Sequence, residues 1–129
     1  MNKEKMREIA PAVVRIGVAV VILWFGAQQL MNASAWTGLI PAWATRISGL
    51  GAATLVMLNG TSEMIIGTLL LLGIFTRLAG LLSSLHLLLI TFIVGYNAVG
   101  VRDFGLAMAA ISTFLYGADA WCLDRFWRK

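Results

Sequence analysis

The chain has 129 residues, 60% hydrophobic and only 12% charged, with a mean hydropathy of +0.86; soluble domains carry about a quarter charged residues, so an ordinary water-soluble domain is excluded. Ten Lys and Arg against six Asp and Glu give a net charge of +4, but the cations flank apolar runs instead of forming a patch, which excludes a nucleic-acid surface. A single cysteine, Cys122, excludes an intramolecular disulfide and a dithiol relay.

At about 20 residues per membrane span, this length holds four spans with short connections. The expectation is an all-α polytopic membrane protein, a four-transmembrane-helix bundle forming a single domain over residues 1–129. Span one is expected over 11–31, opening on Pro11, which a first helical turn tolerates, and ending in Asn32-Ala33-Ser34. Basic residues up to Arg15, the apolar run from Ile16 to Gly26 and the small residues Ala33-Ser34-Ala35 also have the order of a cleaved signal. The segment is retained in the chain and is read as a span.

The connection over 32–50 is too apolar for an ordinary water-exposed loop. Trp36, Ile40, Trp43 and Ile47 recur at helical spacing, which suits a segment lying in the interface with its tryptophans at headgroup depth, as an anchor or as a lid over a lipid-soluble ligand. Span two is expected over 51–73, interrupted by the polar patch Asn59-Gly60-Thr61-Ser62-Glu63. Gly73-Ile74-Phe75-Thr76-Arg77 reads as a tight turn, because glycine stops a helix and an arginine marks the membrane edge.

Span three, over 78–96, carries the one histidine, His86; Asn97-Ala98-Val99-Gly100 turns the chain into span four, over 101–121. There, Gly105, Ala109, Thr113 and Gly117 put a small residue at every fourth position, a seam that lets a neighbouring backbone approach. Arg102-Asp103 opens this span, placing Asp103 near a helix N-terminus that favours a carboxylate. With both termini inside, eight cations (Lys3, Lys5, Arg7, Arg15, Arg77, Arg125, Arg128, Lys129) lie cytoplasmic and only Arg46 and Arg102 lie outside. This is the distribution of an inner-membrane protein.

Glu63 is the most informative residue, since an acid near a helix centre costs several kcal/mol unless it is paired, neutralised or wetted. It lies twelve residues before Phe75, and His86 lies eleven after, so each is roughly 17 Å from the same turn and the two share a depth. If they also share a face, the pair would hold a proton in common and exchange it with a quinone. The structural alternative is a hydrogen-bonded clamp of Asn59, Ser62, Glu63 and His86. Quinone or lipid contacts are assigned to Asn59, Glu63, His86, Trp36 and Trp43. At the terminal face Arg15, Asp119 and Asp124 form a candidate structural ion-pair set joining the first and last spans. No metal-ligand spacing, Gly-rich phosphate loop or Ser/His/Asp set is present.

Arg15-Ile16-Gly17 with Trp24-Phe25-Gly26, then Glu63, Gly67, Gly73 and Thr76-Arg77, then Arg102-Asp103, Gly117 and Leu123-Asp124, resemble in order and spacing the DoxX family of small four-helix membrane proteins. The family is named for its relation to the membrane subunit of archaeal thiosulfate:quinone oxidoreductase. Gln28-Gln29 stands where relatives often have a lysine, and Cys122 where a serine is common. The resemblance implies membrane electron transfer or redox homeostasis. Three functions follow as expectations: a partner-dependent accessory subunit of a redox complex, working with other membrane subunits or as a homo-oligomer in the lipid bilayer; a quinone-reducing subunit whose soluble partner supplies electrons; or a small proton-coupled transporter using Glu63.

Overall fold

Asn2 opens the first helix, its side chain accepting the backbone N–H of Lys5 at 3.0 Å and so satisfying one of the donors a helix start leaves bare. From there α1 runs over Lys3–Met31. The expected start at Pro11 is therefore about two turns late. Pro11 is tolerated inside the helix because the bond it forfeits would go to the carbonyl of Arg7, an exposed residue. At 29 residues α1 is about 43 Å long, longer than an apolar core of about 30 Å, so its charged first turns project into water. This computed structural model describes residues 1–127. Arg128 and Lys129, counted above among the terminal-face cations, lie outside the described residues.

The connection that follows is two helices, not one. A 3-10 helix covers Ala33–Leu39 and α2 covers Ala42–Ser48. Pro41 divides them: it lacks an N–H and drives Ile40 into extended backbone (φ −83°, ψ 115°). The break turns the two tryptophans different ways. Trp36 is partly buried under the segment, whereas Trp43 is 51% exposed.

Helix α3, Ala52–Leu72, passes through the polar patch without the expected interruption. Thr61 and Ser62 bond back to the carbonyls of Met57 and Leu58 at 2.8 and 2.7 Å, which hides their hydroxyls within the helix. The helix stops at Gly73, in the left-handed region at φ +67°, with Gly73 N–H bonding Leu70 O and Ile74 N–H bonding Leu69 O. This paired closure satisfies two terminal carbonyls. Phe75 adopts φ +48°, costly for a residue with a side chain, and α4 then covers Thr76–Val94. The carboxylate of Asp124 accepts the N–H groups of Phe75 and Thr76 and thus caps α4 from the far end of the chain.

Asn97 caps α5, Ala98–Tyr116, by accepting from Val99 and Gly100. Span four is thus shorter than the expected 101–121 because Gly117, at φ +85°, ends it. Asp119 and Cys122 sit in the turn beyond, ahead of the short α6, Asp124–Trp127. Asp103 is correspondingly not in the first turn of its helix; it points from the second turn into the bundle, 3% exposed.

The four long helices are each apolar and long enough to cross a membrane. They form a ring in which α1 pairs closely with α3, and α4 with α5. Glycines permit the first pairing: a Cβ at Gly26 would lie 2.9 Å from Gly60 O, and one at Gly67 would lie 2.8 Å from Leu23 Cγ. In the second pairing Gly80 faces Ala110 and Phe114. Of the expected seam on α5, Thr113 and Gly117 are buried and Ala109 packs against the core, joined by Ala107 and Ala110; Gly105 is exposed, with no atom within 4 Å of the point a Cβ would occupy. Val18, Ile22, Leu70, Leu87 and Ala107 fill the centre. Large apolar side chains such as Val20, Ile65, Leu85, Leu89 and Phe92 point outward, as lipid-facing residues do.

Candidate functional site

Two buried polar clusters lie at opposite ends of the bundle. At the terminal face, Arg15 is 1% exposed and donates through Nε to Asp119 Oδ2 at 2.6 Å and through Nη2 to Asp119 Oδ1 at 3.2 Å. Its Nη1 donates to the carbonyls of Leu70 and Leu71, the last turn of α3. One guanidinium thus joins α1, α3 and the turn after α5. Burial works against the charge on Asp119, but Arg15 and the Trp121 N–H outweigh it and hold the carboxyl below the usual carboxylate range. Asp124 belongs to a separate arrangement: besides its two backbone bonds, it accepts from Thr76 Oγ1 at 2.6 Å. The expected three-residue set therefore divides. Cys122 is buried between these groups, its thiol pushed up by burial.

The other cluster is built on α3. Val56, Gly60, Glu63, Gly67 and Leu70 share its inward face, so packing that face turns Glu63 into the bundle, where it is 4% exposed. Gln29 from α1 donates to Glu63 Oε2 at 2.7 Å. Asn59, one turn away, donates to Gln29 Oε1 at 2.8 Å and to Glu63 Oε1 at 3.3 Å. His86 Nε2 approaches Glu63 Oε1 at 3.4 Å from α4. Ser62, named in the expected clamp, bonds its own helix instead.

Gln29, Asn59 and Glu63 of this network floor a cavity of about 220 Å³ in the half of the bundle away from the termini. A cavity of about 150 Å³ already holds a benzene ring, so this one has room for a substituted ring. Its walls are apolar: Ile22 and Phe25 from α1, Val56 from α3, and Leu87, Ile90 and Val94 from α4. Trp36 and Pro41 close it from the connecting segment. Of the expected contacts, Trp43 and His86 are not among the lining residues; His86 reaches only the Glu63 carboxylate, from outside the cavity.

Residues 10–96 match the family model DoxX. The chain belongs to the DoxX family. The match takes in Gln29, Asn59, Glu63 and His86, so the whole Glu63 network belongs to the family's part of this DoxX protein, while α5 lies beyond it. No curated protein and no solved structure matches the chain.

Two lining residues of this DoxX cavity escaped the sequence reading as members of the site. Arg102 donates to Asp103 Oδ1 through Nε at 2.8 Å and Nη2 at 2.7 Å, and its guanidinium stacks 4.0 Å over the Phe25 ring. Phe25 in turn meets Trp36 edge-on at 5.7 Å. Asp103 also lies within electrostatic range of His86. An acid inside an apolar helix is the signal that could have flagged Asp103; its place near the predicted start of the span masked it. Gln29 carried no such signal, since an amide near a helix end is ordinary.

Proposed function

We propose that this DoxX protein is a membrane subunit of a redox assembly that holds the ring of a quinone in its cavity, with Glu63 and His86 as the proton-handling pair. The observation that carries this reading is a ring-sized apolar cavity with the Glu63 carboxylate in its floor, backed by the His86 imidazole at 3.4 Å outside the lining. Apolar walls with a few convergent polar groups are the pattern of small-ligand sites. The donor set suits a quinone: Arg102 on one wall and the second N–H of the Gln29 amide on the floor are available to carbonyl oxygens, and Glu63, with His86 behind it, offers a route for protons. A bound quinone supplies two-electron, two-proton chemistry. Gln29 and Asn59 hold the Glu63 carboxylate in place, while Trp36 and Pro41 shield it from water.

The chain's one histidine and one cysteine give it no dithiol of its own, so electrons enter from a partner. This makes the protein a partner-dependent subunit. The excess of cations at the terminal face supports an inner-membrane position with both termini cytoplasmic, which puts the cavity in the outer half of the bilayer.

Gentle purification followed by native mass spectrometry and quinone extraction tests the reading. The wild type is expected to retain quinone, and Ile90→Phe, which fills the cavity, to lose it while keeping its helical content. Equal retention by the two proteins, or none by either, would refute the cavity as a quinone site.

A further inference from the structure

A second concavity lies at the terminal face, on the lipid-facing side of α4 and α5, lined by Phe75, Arg77, Leu78, Tyr116, Arg125 and Trp127 among others. We propose that it binds the headgroup of an anionic phospholipid from the leaflet on that face. The charges point this way. Arg15 and Arg102 each have a carboxylate partner, whereas neither Arg77 nor Arg125 has an acceptor among the described residues. Two guanidinium groups on one concavity match the phosphate oxygens of a lipid.

The position of Arg77 is set by the backbone. Its side chain lies across Gly117, where a Cβ would come 2.7 Å from Arg77 Nε. Asp124, which also lines the concavity, spends its carboxylate on Thr76 and on the Phe75 and Thr76 N–H groups, so the bare start of α4 is already occupied. The aromatic rim has the chemistry of headgroup depth: Phe75, Tyr116 and Trp127 are all more than half exposed, at 63%, 53% and 68%. Below it, Leu78, Leu82, Leu85 and Leu89 are exposed at helical spacing along α4, a continuous apolar track for an acyl chain. A soluble phosphate would use the arginines but not this track.

The test uses the full chain in mixed detergent micelles containing phosphatidylglycerol and phosphatidylcholine, read by native mass spectrometry. Wild type should retain phosphatidylglycerol preferentially. Arg77→Gln and Arg125→Gln should each lower that preference roughly fivefold, the effect expected of one basic residue at an anionic surface. Arg46→Gln, on the opposite face, should leave it unchanged, and Arg77→Lys should keep part of it. Equal retention of both lipids by the wild type, or unchanged preference in the Arg77→Gln/Arg125→Gln double variant, would overturn the proposal. So would displacement of the lipid by inorganic phosphate alone, which would make the site one for free anions.

Discussion

Glu63 Oε1 and His86 Nε2 meet at 3.4 Å across the facing sides of α3 and α4, but the shortest bond to Glu63 comes from Gln29 of α1, at 2.7 Å. The acid is therefore held from three helices, and its loss should be felt more widely than that of the histidine. Intramembrane hydrogen bonds contribute about 0.6 kcal/mol on average in mutant cycles. A cycle of Glu63→Leu with Gln29→Leu should show coupling at least that large, and larger than the cycle with His86→Leu. Thermal unfolding in detergent measures both; equal coupling would remove Gln29 from its leading place.

The Arg15–Asp119 pair is fully buried, so removing one partner strands the other charge. Asp119→Leu should destabilise by about 3–5 kcal/mol, as breaking buried pairs does. Arg15→Lys should rescue little, because an ammonium cannot span both Asp119 oxygens and the α3 carbonyls.

The same pair sets an acid limit. The folded-state carboxyl of Asp119 titrates below its unfolded value, so its stabilisation is complete above the ordinary carboxylate range and is lost as pH falls through the lowered folded value. Thermal stability measured across that acid range should fall for the wild type, and Asp119→Asn should remove this residue's share of the slope. An unchanged slope in the variant would mean other carboxylates carry the acid response.

Cys122 is buried against Gly73 and Thr76, and its thiol titrates above the ordinary cysteine range. Maleimide labelling of the native protein at neutral pH should therefore be slow. Asp124→Ala removes the cap on α4, at a cost of about 0.5–2 kcal/mol, and should speed labelling by loosening this turn. Fast labelling of the wild type would show that the turn opens readily without it.

Gly26 and Gly105 separate seam from lipid face. A Cβ at Gly26 would press on Gly60 O, whereas Gly105 has open space. Gly26→Ala should cost about 1–3 kcal/mol through overpacking, while Gly105→Ala should be neutral or stabilising by up to about 1 kcal/mol. Melting temperatures of the two variants in one detergent check the difference.

The number of helices, their apolar character and the shared depth of Glu63 and His86 were legible in the sequence. Each follows from hydropathy, chain length and a fixed rise per residue. The turn at Gly73 was legible for the same local reason: only a residue free to adopt positive φ ends α3 there. What rotation decides was not legible. Gln29 and Gln28 look alike in sequence, yet one bonds Glu63 and the other does not line the cavity. The small-residue pattern on α5 found Ala109, Thr113 and Gly117 on the packed side, but not that Gly105 faces open space while Ala107 and Ala110 complete the contact where Gly80 lets α4 approach. Arg102 and Asp103 became wall residues, and Asp119 a partner of Arg15, only once helices far apart in sequence were brought side by side. Local propensity and hydropathy fix where a span lies along the chain; the packing of its neighbours fixes which way each side chain turns.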